Sequence, residues 1–289
     1  MKKFIALFLL VFTVLGVSAQ SVDSIALNSG NWKTSVVAPG LIHKACNFTE
    51  NSLFSSNQYI SVLEILPDNG RKIEIYASPV LKETSLMARE KRALAAINGS
   101  FFKFNYTPNT IDYNSVDYIR KGFVQLAPNT YREKGKREQH QLGALAVLND
   151  KLYILKADKL AIWEKYIFAE EVITTGPLLL RSGVEETMLN ASFYTTRHPR
   201  TAIAIKKDGT ILFITVDGRS AESAGVSLKE LLNITKWLGA VDAINLDGGG
   251  STTMFIEGSS ESGVVNHPCD NKKFDNQGER KVANTVIVL

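Results

Sequence analysis

Cysteine is scarce in this chain. Cys46 and Cys269 are the whole complement, which excludes a disulfide-dense scaffold. Neither has a second cysteine or a well-spaced histidine beside it, which argues against a zinc cluster. An isolated pair can join in an oxidising compartment, so Cys46 and Cys269 read equally as a disulfide or as two buried thiols. A dominant charge is also lacking, since 33 Lys and Arg face 29 Asp and Glu. So small a surplus argues against nucleic acid as a partner. Beyond the N-terminal segment no apolar run approaches the length of a membrane span. Internal repeats and low-complexity tracts are absent as well.

What is present is the composition of an ordinary globular protein: 289 residues, 45% hydrophobic and 21% charged. Its first nineteen residues stand apart. Lys2 and Lys3 precede an apolar run from Phe4 to Leu15, and Val17-Ser18-Ala19 supplies the small residues that a signal peptidase reads. This predicts an exported, periplasmic or extracellular protein whose mature chain begins near Gln20. Removing the two lysines lowers the net charge from +4 to +2. Of five N-glycosylation sequons, the one at Asn98 falls in a segment assigned below to the site. A glycan there would block it, which fits a bacterial source. Residues 20–58 are polar, rich in Ser and Asn, and read as an irregular lead-in. A catalytic domain then spans 59–289.

The pattern from Tyr59 through Leu66 reads as a strand, with Pro67-Asp68-Asn69-Gly70 as a turn and Lys72–Ala77 as its hairpin partner. Thr84–Arg92 reads as a short helix and Ala93–Ile97 as a strand. Residues 103–140 read as a long loop excursion. Leu142–Leu148 and Leu152–Leu155 form a hairpin about Asn149-Asp150, and Thr201–Lys206 and Thr210–Val216 another about Lys207-Asp208-Gly209. Ser227 and Glu230 make a capping box for a helix lined by Leu228, Leu231, Leu232 and Leu238 and ended by Gly239. Val241–Leu246, Thr252–Ile256 and Val282–Leu289 are further strands. The expected fold is α/β of the α+β type: a single domain with a mixed, largely antiparallel sheet and few helices.

Three segments share one form, an apolar run ending in a polar residue and glycine: Asn98-Gly99, Asp217-Gly218-Arg219 and Asp247-Gly248. Glycine lets the chain turn sharply just past a strand, which leaves the polar residue on rigid structure at the strand end, where sheets often place ligands. Asp208-Gly209 joins two strands directly and is a plain turn. In Asp247-Gly248-Gly249-Gly250-Ser251-Thr252 the three glycines carry a high entropic cost, and they suit backbone N–H groups that approach an anion. The segment lacks the lysine of a Walker A loop. Arg197-His198-Pro199-Arg200-Thr201 offers guanidinium forks for phosphate, or else a solvated charge cluster at a strand start.

In order along the chain, Asn98-Gly99-Ser100-Phe101-Phe102, Thr175-Gly176-Pro177-Leu178, Arg200-Thr201-Ala202-Ile203-Ala204, Val216-Asp217-Gly218-Arg219, Leu246-Asp247-Gly248-Gly249-Gly250-Ser251-Thr252 and Val265-Asn266-His267-Pro268 resemble the phosphodiester glycosidase family, as does Glu279-Arg280-Lys281-Val282-Ala283-Asn284. The likeness covers residues 90–289. It implies a hydrolase acting on a sugar phosphodiester or phosphoglycan and releasing free sugar; no cofactor is expected, and no metal, since no metal-ligand cluster of His and carboxylates is visible in the sequence. Arg200 and the Gly248–Ser251 backbone are assigned to phosphate. Asp217 and Asp247 are assigned as base, nucleophile or sugar-hydroxyl ligand, and Asn98 and Thr175 to sugar or phosphate oxygens. Gly99, Gly176, Thr201, Gly218, Arg219, Thr252 and Asn266 complete the expected binding set. A metal-dependent phosphodiesterase and a non-catalytic envelope glycan-binding module remain alternatives.

Overall fold

The computed structural model of the protein describes residues 21–67, 70–102, 104–105, 110–111, 118–120, 123–125, 142–157 and 163–289. The strand Ser56–Ile65 explains its own sequence. Leu63 and Ile65 point into one core while Ile60 and Val62 point into another. A strand buried on both faces needs apolar residues at both parities. It lies inside an eight-stranded sheet in the order Lys33–Ala38, Leu41–Leu53, Ser56–Ile65, Ile211–Val216, Arg200–Lys206, Ala240–Asn245, Leu178–Arg181, Val184–Glu185.

A six-stranded sheet runs Met254–Ile256, Ala95–Asn98, Lys281–Val288, Ile73–Glu83, Thr110–Ile111, Phe104–Asn105. A five-stranded sheet runs Lys151–Lys156, Gly143–Leu148, Glu171–Thr175, Tyr118–Arg120, Phe123–Gln125. Every ladder between described residues is antiparallel. The main core lies where the three sheets meet: Leu63, Ile203 and Phe213 from the first pack with Ile75, Ile97 and Val286 from the second and Leu145 and Ile173 from the third. The architecture is α+β, a single domain with four α-helices among the described residues.

The outer face of the large sheet is closed by the helices Val22–Ser29 and Leu228–Trp237, through Leu27, Leu231, Leu232 and Ile234. The second starts as its sequence predicts. Ser227 Oγ accepts the Glu230 N–H at 3.2 Å, and the Glu230 carboxylate accepts the Ser227 N–H at 2.8 Å. The hairpins about 149–150 and 207–209 also form. A helix Thr84–Glu90 covers the outer face of the six-stranded sheet through Ala88, beside Ala96, Phe255 and Ile287.

Two expectations are corrected, and the open choice for the cysteines is resolved. The described part of the expected irregular lead-in, residues 21–58, is regular: it forms a helix capped by Ser21, two strands and the start of Ser56–Ile65, and it buries Leu27, Leu41, Phe48 and Leu53. The outermost strand, Lys33–Ala38, is exposed over its first four residues and so tolerates the polar residues that hid it from a hydrophobic pattern. Lys72–Ala77 does not pair with Tyr59–Leu66. Both edges of Ser56–Ile65 are taken, by Leu41–Leu53 and Ile211–Val216, and Ile73–Glu83 pairs with Lys281–Val288 instead. Cys46 and Cys269 are both free: Cys46 is buried with Leu27 and Phe48, whereas Cys269 is partly exposed against Arg219. Most of the 103–140 excursion, and the whole of the N-terminal signal segment, lies outside the described residues.

Candidate active site

The three strand-end segments converge: backbone hydrogen bonds tie the Asn98 and Asp247 segments, and Asn266 Nδ2 links Asp217 to the Thr252 carbonyl. Asp247 N–H donates to the Gly99 carbonyl at 3.1 Å, Gly249 N–H to Pro199 at 2.8 Å, Leu246 N–H to Thr201 at 2.9 Å and Asp217 N–H to Tyr59 at 3.0 Å. Asp208, by contrast, accepts the Thr210 N–H within its own turn, as expected of a residue with no part in the site.

Asp217 is 1% exposed. Its Oδ1 accepts Asn266 Nδ2 at 2.8 Å, and its Oδ2 accepts the His267 backbone N–H at 2.9 Å and lies 2.8 Å from His267 Nδ1. With donors already converging on this carboxylate, ring Nδ1 carries the proton that faces it. Nε2 is then the free lone pair of the imidazole. The ring is held on its other sides too, stacked on Phe274 at 3.8 Å between centroids and met edge-on by Tyr59 at 4.5 Å. Asn266 is fully consumed in this frame: Oδ1 accepts Met254 N–H, and Nδ2 also donates to the Thr252 carbonyl.

His267 lines a cleft of about 270 Å³ together with Gly218, Arg219, Cys269 and Phe274. Arg219 has a left-handed backbone, φ 64°, and its guanidinium lies over Gly249. A side chain on Gly249 would meet Arg219 Nη2 at 3.0 Å. His198 Nδ1, at 3.5 Å from the same nitrogen, and Cys269 Sγ, at 3.8 Å from Nη1, are its polar neighbours. The presence of Arg219 and Arg200 joins burial in holding the His198 imidazole below its ordinary range.

Asp247 is the second carboxyl group. Burial pushes it up to about 6, against the pull of Arg280 and of the Gly248 N–H that its Oδ1 accepts at 2.9 Å. Around it the fold is cross-linked by residues expected to touch substrate. Asn98 is 0% exposed; its amide donates to the Asp247 carbonyl at 2.7 Å and accepts from Thr201 Oγ1 and the Thr253 N–H. Thr175 is equally buried and donates to the Asn245 carbonyl, and the Gly176 carbonyl accepts the Asn245 amide. Asn98, Thr175 and Thr201 therefore hold the strand ends in register. Gly99 meets the Asn284 side chain so closely that no Cβ fits.

Two assignments to phosphate are not supported by the contacts. Arg200 is 3% exposed, and its Nε and Nη2 donate to the carbonyls of Val226, Phe193 and Thr196. Those bonds make it a clamp on two loops, and burial brings its guanidinium down to about 10. Arg197 is likewise spent, on Glu230 and the Phe54 carbonyl. The Gly248–Thr252 run is a tight turn whose N–H groups at 248, 249, 251 and 252 bind within the protein. Its glycines serve close packing: a Cβ on Gly248 would meet the Pro199 carbonyl at 2.6 Å, and one on Gly250 would strike the Asp270–Arg280 ion pair. Gly218 is pressed in the same way against Gly225. Buried Ser251 and Thr252 complete the turn.

The sequence reading missed His267, Tyr59 and Phe274. His267 stood beside Asn266 in a segment already singled out, and its adjacency was the available signal. Nothing in the local pattern tied Tyr59 or Phe274 to it.

Fold and cleft together describe an α+β protein with a carboxylate-held imidazole and an arginine at the ends of its strands. The chain belongs to the phosphodiester glycosidase family, whose sequence pattern matches residues 91–289. The SPbeta prophage-derived uncharacterized protein YomE of Bacillus subtilis is 28% identical over 196 residues, 63% of this chain and 27% of that protein. The N-acetylglucosamine-1-phosphodiester alpha-N-acetylglucosaminidase of Mus musculus is 33% identical over 87 residues, 30% of this chain and 17% of the mouse protein. These alignments take in 27% and 17% of the two relatives' own lengths. In fold, the catalytic domain of the zebrafish enzyme of that name, auto-inhibited by its pro-peptide, superposes with a TM-score of 0.61 at 17% identity, over 93% of each chain. A hypothetical protein from Synechocystis gives a TM-score of 0.56 at 16% identity, over 90% of this chain and 64% of that one.

Proposed function

We propose that this protein is an exported hydrolase that cleaves a sugar-1-phosphodiester at the glycosidic C1–O bond, releasing free sugar and a phosphate monoester. The observation that carries the reading is the Asp217–His267 pair in the cleft beside Arg219. His267 Nε2 accepts a proton from water as the water oxygen bonds to C1. The C1–O bond breaks with its electron pair passing to the phosphate monoester. Asp217 fixes the tautomer and stabilises the imidazolium that forms. Arg219 offsets the charge that builds on the leaving phosphate. Asp247, pushed by burial up to about 6, is suited to hold a sugar hydroxyl or to supply a proton. Family membership and the sugar-phosphodiester activity in the mouse relative's name support the substrate class. The N-terminal Lys2-Lys3, apolar run and Val17-Ser18-Ala19 support export.

Turnover of a sugar-1-phosphodiester in ¹⁸O-labelled water tests the bond that breaks. Label on the sugar C1 hydroxyl is expected. Label on phosphate would replace the reading with attack at phosphorus, as in a phosphodiesterase.

A further inference from the structure

Lys272 and Lys273 line the same cleft as Arg219 and His267. Both are exposed, and among the described residues neither forms an ion pair or a side-chain hydrogen bond; Arg219 likewise faces no carboxylate within ion-pair distance. Most other lysines near a carboxylate behave differently: Lys44, Lys82, Lys91, Lys156, Lys206, Lys229 and Lys236 all sit in pairs of 2.5–2.9 Å. The turn that carries the two lysines is fixed in shape. Asn271 Oδ1 accepts the Lys273 N–H, Asn271 Nδ2 donates to Asp275, and Lys272 holds a left-handed φ of 59°. Phe274, the next residue, is locked against the His267 ring. The backbone that carries the two lysines is therefore held beside the His267 ring.

The cleft lining carries three cations, Arg219, Lys272 and Lys273, against one acid, Glu222, so its net charge is +2 where one phosphodiester carries a single negative charge. Arg219 answers that charge. Two lysines remain on the rim. Asp275 lies outside that lining; it accepts from the neutral donors Asn271 Nδ2 and Gln277 N–H and keeps its charge, which Lys273 feels. Asp270 is paired with Arg280. Charges gathered in one small cleft act together, because they lie within about one Debye length, roughly 8 Å at physiological salt.

We infer that the substrate carries further phosphate on the leaving side, and that Lys272 and Lys273 select for it. The inference rests on the proposed hydrolysis and names its substrate class: a sugar-1-phosphodiester whose aglycone bears a second anionic phosphate. That chemistry occurs both in a chain of phosphodiester-linked units and in a sugar joined to a nucleoside through a diphosphate.

The test compares kcat/KM and calorimetric affinity for one sugar-1-phosphodiester with a neutral alkyl aglycone against the same sugar with a second phosphate in the aglycone. A phosphodiester-linked oligomer and a diphosphate-linked nucleoside form separate arms, and the arm with the larger preference identifies the source. The wild-type protein should favour the doubly charged compound by about tenfold at low salt, with the ratio shrinking toward one in 0.5 M salt. The variant Lys272→Asn/Lys273→Gln should bring the ratio close to one at low salt as well; Asn suits the left-handed position. Lys272→Arg/Lys273→Arg should restore the preference, which separates charge from any effect on folding. Equal affinities in the wild type, or a preference that survives loss of both lysines, would overturn the inference. Preferred binding without turnover of either compound would leave it standing and overturn the hydrolase reading instead.

Discussion

Replacing Asp217 by Asn is the sharpest perturbation of the site. The carboxylate receives Asn266 Nδ2 on one oxygen and both the backbone N–H and ring Nδ1 of His267 on the other. An amide has one acceptor oxygen where the carboxylate has two. If the new oxygen serves His267, the new NH₂ faces the NH₂ of Asn266. Asn266 cannot turn over to relieve this, because its Oδ1 already accepts the Met254 N–H and its Nδ2 also serves Thr252. If the groups are reversed, the NH₂ confronts two donors of His267. Either way one buried donor is left opposing another, and the imidazole loses its anion. A charge-assisted hydrogen bond contributes about 1.5–3 kcal/mol, so the loss of ground-state order alone predicts a fall of roughly 10- to 150-fold. Loss of the correct tautomer extends the fall in kcat to roughly 10²–10⁴-fold. The assay is steady-state hydrolysis by Asp217→Asn, His267→Gln and the double variant, each checked for a native circular dichroism spectrum. Residues that act as one unit do not add: the double variant should be about as slow as the slower single one. Independent, multiplicative losses would refute a carboxylate that works through the imidazole. Full activity in Asp217→Asn would refute the site.

Three further outcomes are expected. Asp247 has a folded value of about 6 against an ordinary 3.8, so the folded state binds the extra proton between those values and stability falls as pH rises through that window. Asp247→Asn keeps the acceptor for the Gly248 N–H, and thermal or urea unfolding should show it more stable than the wild type at pH 7 by on the order of 1–3 kcal/mol, a gain that vanishes by pH 3. His43 shifts the opposite way for a base: burial lowers it from 6.5 to about 4, so its neutral form is favoured in the fold and stability is lost as pH falls from 6.5 toward 4. His43→Phe should flatten that limb of the stability profile by about 2–3 kcal/mol, and an unchanged limb in urea titrations would reject the assignment. Finally, Cys269 should react with a thiol reagent in the native protein while Cys46, buried and pushed up to about 11, should react only after unfolding; intact mass lower by two hydrogens would instead reveal a disulfide.

Local chemistry was readable in the sequence where a few neighbouring residues decide the outcome. The Ser227–Glu230 cap and the turns at 149–150 and 207–209 need only their own side chains and φ values. The strand-end grouping of Asn98, Asp217 and Asp247 was readable for the same reason, since an apolar run followed by glycine fixes where a polar residue stops. Partnership across the chain was not. Ile73–Glu83 takes its partner from Lys281–Val288, about two hundred positions away. Arg200 looked like a phosphate ligand because a guanidinium carries the same fork whether it meets phosphate or carbonyls, and only the folded loops at Phe193, Thr196 and Val226 decide between them. The triple glycine suggested open N–H groups, whereas its freedom from side chains is used up against Pro199, Arg219 and the Asp270–Arg280 pair. The rank of Asp217 and His267 was inverted by the sequence: the acidic residue drew attention, yet it is the one shut away, while the imidazole lines the opening.

The strand Lys281–Val288 lies between Ala95–Asn98 and Ile73–Glu83 and so holds a central place in its sheet. That position sets a timetable for synthesis. Everything up to position 280 is made before this strand emerges, and until then Ala95–Asn98 has no partner on that side and Asn98 has no fixed seat from which to bind the Asp247 carbonyl. Tyr59, made early, must meanwhile wait for His267. A chain cut short before residue 281 therefore lacks the strand that seats Asn98 beside Asp247.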